Sequence, residues 1–180
     1  SAERRRECPK PPSITSLNIS HNHLGSEAPG GLTLLRPLSH TLRCLNLSHN
    51  YLQAQGVAQL TSLSSLSALE ELHLEGNNLG PQGAAELTSL AGLRVSALFL
   101  ESNKLGPGAV STLGSLSALA GSLASLSISY NRLGEEGAES FGVLSSLTRL
   151  ARLDCSYNGI KAHGAAQLGR MGGGGPLLGL

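Results

Sequence analysis

The sequence predicts an α/β fold: a solenoid of six β-strand/α-helix repeats bent into a horseshoe arc, with a parallel sheet on the concave face and helices on the convex face. Three observations predict it. An asparagine recurs at Asn22, Asn50, Asn77, Asn103, Asn131 and Asn158, at intervals of 28, 27, 26, 28 and 27 residues, and a fixed period of this length marks a stacked repeat. Just ahead of each asparagine, two apolar residues flank one outward residue, as in Leu72-His73-Leu74, the alternation of a half-buried strand. Beyond it, leucines return three apart, as in Leu60, Leu63, Leu66 and Leu69, which lines one inward face of a helix.

Each element has a physical reason. The asparagine sits where the chain turns after the strand. Its amide carries two donors and an acceptor, so stacked copies satisfy the backbone groups that successive inward turns leave unpaired. Aspartate cannot donate, and leucine can do neither. The helical segments are rich in serine and glycine, as in Thr61-Ser62-Leu63-Ser64-Ser65-Leu66, so short or frayed helices are expected. Local departures fall at Pro29, Gly30 and Gly31 in repeat one, at Gln53 in repeat two and at Ile160 and Lys161 in repeat six; repeat four is one residue shorter between Asn103 and Gly108. Residues 14–170 form the repeat domain in this reading. Residues 1–13 read as a polar, disordered leader, its Arg4-Arg5-Arg6 run interrupted by Glu3 and Glu7, and residues 171–180 as a glycine-rich tail. A solenoid normally closes with a polar capping repeat, and none is visible. Continuation of the array in a longer chain, or self-association through uncapped ends, is the expectation that follows.

Each unit reads L-x-x-L-x-L-x-x-N-x-L, and in most copies a glycine then opens a segment such as Gly83-Ala84-Ala85-Glu86-Leu87. This resembles the ribonuclease-inhibitor-like class of leucine-rich repeats, whose period of about 27 to 29 residues leaves room for a full α-helix. The phrase L-G-x-x-G-A-x-x-L, at Leu79 to Leu87 and with Phe141 closing the copy from Leu133, is also similar to the repeats of Ran GTPase-activating proteins. The resemblance implies a protein–protein interaction module or scaffold that binds a partner on its concave face. Two alternatives come with it: a GTPase-activating regulator of the Ran type, and the sensor array of a nucleotide-binding leucine-rich-repeat receptor. The chain lacks the long array and acidic tail of the Ran-type regulators. It is also neither as long, as acidic nor as cysteine-rich as a ribonuclease inhibitor proper.

Composition narrows the function classes. A formal charge of +1, with 14% charged residues, supplies no basic field for nucleic acid or an anionic membrane. No run approaches the roughly 18 apolar residues of a spanning helix, and the start of the chain lacks the apolar core of a signal peptide. Cys8, Cys44 and Cys155 are too few and too scattered for a disulfide framework, which points to a reducing compartment, the cytoplasm. The expected partner is another protein, with no cofactor, no nucleic acid and no membrane insertion.

Because each repeat adds a parallel strand about 4.8 Å from the last, equivalent positions become columns on the surface. One column reads Asn18, Asn46, His73, Phe99, Ser127, Asp154; the next reads Ser20, Ser48, Glu75, Glu101, Ser129, Ser156; the third reads His21, His49, Gly76, Ser102, Tyr130, Tyr157. The chain has two phenylalanines and three tyrosines, yet Phe99, Tyr130 and Tyr157 all fall on this face or its rim. Aromatic residues on a rigid surface ringed by serines are what binding hot spots are made of. The expected partner-binding set is therefore His73, Glu75, Phe99, Glu101, Tyr130, Asp154 and Tyr157. Stacking of Tyr130 on Tyr157 is the structural alternative.

Catalysis is not expected. Glu75 and Glu101, with Glu71 nearby, stand at the spacing of a retaining glycosidase pair, but that chemistry needs a closed cleft. His73 and Asp154 share a column about 14 Å apart, too far for a triad, and no H-E-x-x-H, G-x-S-x-G, phosphate loop or C-x-x-C occurs. Asp154, the single aspartate of the chain, is expected to pair with Arg152 or a partner. His21, His23 and His49 are close enough to suggest zinc but lack a fourth ligand, so they read as rim histidines and no metal is expected. Cys155 takes a strand-leucine place and should be buried; Cys44 points to the concave side and reads as the more reactive thiol.

Overall fold

The computed structural model describes residues 13–26, 31–109 and 113–171. The expected leader and tail lie outside these residues, apart from their innermost positions, as do Cys8, Pro29 and Gly30. Six strands, β1 (Ser16–Asn18), β2 (Cys44–Asn46), β3 (Glu71–His73), β4 (Ala97–Phe99), β5 (Ser125–Ser127) and β6 (Arg152–Asp154), form one parallel sheet in chain order. The sheet is open, and its register pairs equivalent residues throughout: Asn46 with His73, His73 with Phe99, Ser127 with Asp154. An α/β repeat solenoid is the result.

Helical segments return the chain behind the sheet, and they differ from the full α-helices that the resemblance implies. Short α-helices, α1 (Gln53–Ala58), α2 (Gly80–Glu86) and α3 (Gly134–Glu139), continue directly into 3₁₀ segments at Gln59–Ser65, Leu87–Leu90 and Ser140–Ser146. In the first and fourth repeats the described part of the return includes the 3₁₀ stretches Leu32–Leu38 and Leu113–Leu119; α4 (Lys161–Met171), with 11 residues, is a helix of ordinary length. The cause is in the spacing. Leucines three apart eclipse on a 3₁₀ helix of three residues per turn, so Leu113, Leu116 and Leu119, and likewise Leu60 and Leu63, all reach full burial. The serines and threonines between them add little α preference to oppose this. Strand leucines such as Leu45, Leu47, Leu72, Leu74, Leu98 and Leu100 are fully buried and share one continuous core with these stripes.

The turn after each strand is held by the asparagine column. Asn103 Nδ2 donates to the carbonyls of Leu74, Leu100 and Glu101, and its Oδ1 accepts the backbone N–H of Asn77. Asn50, Asn77 and Asn131 repeat the pattern, and all four side chains are fully buried. Each asparagine is flanked by left-handed backbone: the residues one before, one after and three after it have positive φ in every repeat, as at Ser102, Lys104 and Gly106. Most of these positions carry side chains, at roughly 1–2 kcal/mol each in that conformation, so the turn persists because the asparagine amide ties it to its neighbours. At the third position glycine is absent in two repeats, and Gln53 and Lys161 adopt φ 58° and 51° in its place.

Candidate functional site

The sheet face is the surface that the register presents without helices over it. Strands repeat about every 4.8 Å while packed helices stand roughly 8–10 Å apart, which puts the sheet on the inner side of the curve. The residue between the two inward positions of each strand projects outward here, and the side chains two residues on join it.

At the middle of this face His73 and Phe99 are register partners, and their rings stack at 4.3 Å between centroids and 11° between planes. His73 Nδ1 lies 3.0 Å from Glu75 Oε1, and Nε2 lies 3.8 Å from Glu71 Oε2. The hydrogen bond to Glu75 raises the His73 pKa, against an opposing contribution from burial, and the charges of Glu75, Glu71 and Glu101 raise it further. Glu75 and Glu101 are half-buried, and in each one carboxylate oxygen, Oε2, is buried without a partner in hydrogen-bonding geometry. Burial is the largest influence on Glu101 and pushes its carboxyl pKa up; Ser127 and the backbone oppose this, while Glu75 and Asp154 add to it. Carboxylates left in this condition attract a cation.

Beside this cluster a shallow groove runs over β4 to β6, lined by Phe99, Glu101, Ser127, Arg152 and Asp154 among others. The structure thus brings His73, Glu75, Phe99 and Glu101 into one continuous patch, with Asp154 at the far wall of the groove. Tyr130 and Tyr157 stand apart from it on the rim, exposed and stacked on each other at 4.2 Å and 10°.

Several expectations are corrected. Asp154 does not pair with Arg152: its Oδ1 accepts the backbone N–H of Ser156, 2.9 Å away, and no ion pair to it forms among the described residues. Asn18 and Asn46 hold Ser20 and Ser48 in the same way, so the short acceptor at this column position closes a local turn. Burial is the largest influence on the Cys44 thiol and pushes its pKa up, with Glu71 and Glu75 adding and the Ser16 hydroxyl opposing. Cys155 is half-buried rather than buried, since it directly follows β6, the last strand of the sheet, and burial followed by Asp154 raises its thiol pKa too. His21 and His49 stack face to face at 4.4 Å, and His23 stacks on Tyr51 at 5.3 Å.

A further column runs along the sheet face through Ser16, Cys44, Glu71, Ala97, Ser125 and Arg152, the first residues of the six strands. Its signal is the register itself, one step before the first strand leucine.

Four segments of the chain, residues 10–28, 38–60, 65–87 and 122–142, match a family model described as Leucine Rich repeat. No curated protein matches the chain. No helix among the described residues is long and apolar enough to cross a membrane.

Proposed function

The chain is a leucine-rich repeat protein, and from that premise we propose that it is a non-catalytic scaffold whose sheet face holds a basic segment of a partner protein. Leucine-rich repeats generally serve as protein-interaction modules. The observation that carries the finer reading is the pair of half-buried carboxylates, Glu75 and Glu101, each with an unpartnered oxygen beside the stacked rings of His73 and Phe99. An arginine or lysine entering between them gains a charge-assisted hydrogen bond to Glu101 and lies over the face of Phe99, interactions of about 1–3 kcal/mol and 0.5–2 kcal/mol respectively. Asp154 extends the negative charge along the groove, and Tyr130 and Tyr157 offer an aromatic shelf at its rim.

A partner that binds this way replaces the cost of leaving two carboxylates half-desolvated, so its cation contributes more than a surface ion pair does. The free thiols of Cys44 and Cys155 suit a reducing compartment, and we place the scaffold in the cytoplasm. The phrase L-G-x-x-G-A-x-x-L has a packing explanation that is independent of any Ran-type activity. Gly80 and Gly134 have φ 65° and 67°, and a methyl group added at Gly83 would meet Leu79 Cβ at 2.6 Å.

Panning a random peptide library against the chain tests the proposal. Arginine- and lysine-rich peptides are expected to be enriched, and a Phe99→Ala, Glu101→Gln double variant is expected to lose about tenfold or more in affinity for them. Enrichment of acidic peptides, or equal binding by the double variant, would overturn it.

A further inference from the structure

The corner of the sheet where β2 meets β3 carries a cysteine, a carboxylate and an imidazole whose ligating atoms all lie within 4.8 Å of one another: Cys44, Glu71 and His73. We propose that these three side chains form a zinc site on the sheet face, with its fourth position open to solvent. The proposal goes beyond the peptide-binding reading and does not depend on it.

The fold assembles the set without loops. Cys44 and Glu71 are register partners on adjacent parallel strands, and His73 lies two residues beyond Glu71 on the same face of β3. Ligand atoms around a tetrahedral zinc stand roughly 3.3 to 3.7 Å apart at bond lengths of about 2.0 to 2.3 Å. His73 Nε2 and Glu71 Oε2, at 3.8 Å, need to approach by only about 0.5 Å to reach that spacing. The widest separation must close by about 1 Å, which the half-exposed Glu71 side chain, 51% accessible, allows by rotation.

The imidazole is also held as a zinc ligand needs. Its Nδ1 is bonded to Glu75 and its plane is fixed against Phe99, which leaves Nε2 as the nitrogen directed at Glu71. A carboxylate on the distal nitrogen is the usual support of zinc-bound histidine, setting the tautomer and strengthening the donor. Glu75 is therefore a positioning residue. One sulfur, one nitrogen and one oxygen form a mixed set that suits zinc better than the all-oxygen shells of calcium or magnesium. Coordination exchanges the S–H bond of Cys44 for an S–Zn bond, and the proton leaves to solvent. Three protein ligands with an open position are the composition of an accessible zinc site rather than a closed structural one.

The 180-residue chain, reduced and stripped with chelator, is titrated with Co²⁺ as a spectroscopic probe and then with Zn²⁺. One equivalent of Co²⁺ is expected to produce a sulfur-to-cobalt charge-transfer band with ligand-field bands of tetrahedral intensity, bleached by Zn²⁺ and unaffected by excess Mg²⁺ or Ca²⁺. Cys44→Ala removes the charge-transfer band, and a Cys8→Ala, Cys155→Ala variant, which keeps Cys44 as its one thiol, retains it. His73→Ala weakens binding at least tenfold, and Glu75→Gln weakens it by about 10- to 100-fold while leaving the thiolate band in place. Circular dichroism confirms that each variant is folded, with Cys44→Ser replacing any Cys44→Ala chain that is not. Absence of a sulfur band in the wild type, or its survival in the Cys44 variants, would overturn the site. Peptide binding measured in chelator separates this outcome from failure of the peptide-binding reading.

Discussion

Asn103 does the work of four hydrogen bonds with one side chain. It donates to Leu74, Leu100 and Glu101 and accepts from the Asn77 backbone, all in a fully buried setting. Asn103→Leu leaves the buried Asn77 N–H without its acceptor and takes one donor from each carbonyl, which keep Asn77 Nδ2, Asn131 Nδ2 and the Gly76 N–H respectively, at a cost of about 1–3 kcal/mol in urea denaturation. Asn22 lies exposed at the first repeat, and its replacement by alanine is expected to cost less than about 1 kcal/mol. Glu101 acts in the opposite sense. Its carboxyl pKa is raised in the fold, so its favourable contribution is present below the ordinary carboxylate range and is lost as pH rises through the raised value. Glu101→Gln is therefore expected to melt at a higher temperature than wild type at pH 7, with the difference vanishing below about pH 4. A Glu101→Gln chain less stable than wild type at pH 7 would show that the carboxylate is satisfied.

At the level of elements, α4 contains a test of how repeats pack. A methyl group at Gly164 would lie 2.4 Å from Ala138 Cβ on α3, whereas one at Gly169 meets nothing within 4 Å. Gly164→Ala is expected to destabilise the chain by about 1–3 kcal/mol through forced separation of the two helices. Gly169→Ala in the same helix is expected to stabilise it by about 0.5–1 kcal/mol, so opposite signs should be read in one pair of melting curves. The existence and order of these elements were legible in the sequence because both depend on spacing alone. Asparagine intervals align the strands, and the alignment pairs His73 with Phe99 as the columns require. Helix type was not legible, because α and 3₁₀ segments both bring leucines three apart to one face. Nor was side-chain direction. Whether Asp154 turns to Arg152 or to the Ser156 N–H, and whether His73 leans on Glu75 and Phe99, is decided by rotamers after the strands have assembled. The Cys44, Glu71, His73 corner escaped for a related reason, since its members come from two columns and two repeats.

For the whole molecule, the sheet and helix sides offer different chemistry. The helix side is edged with short polar residues, some of which tie repeats together, as Ser89 Oγ does by donating to Val57 O at 2.6 Å. The sheet side carries stacked rings and half-desolvated carboxylates. A rigid core running through every repeat keeps those groups in place, so binding on the sheet needs little reorganisation of the free protein. On the reading proposed above, the sheet face, and not the helix side, holds the partner. Affinity capture from lysate with mass spectrometry tests it most directly, comparing wild type with Phe99→Ala, Glu101→Arg and with a helix-side control, Gln55→Arg, Ala85→Arg, at exposed positions. Proteins retained by wild type and by the control are expected to be lost by the sheet-face variant. Retention by the sheet-face variant, together with loss by the control, would contradict it.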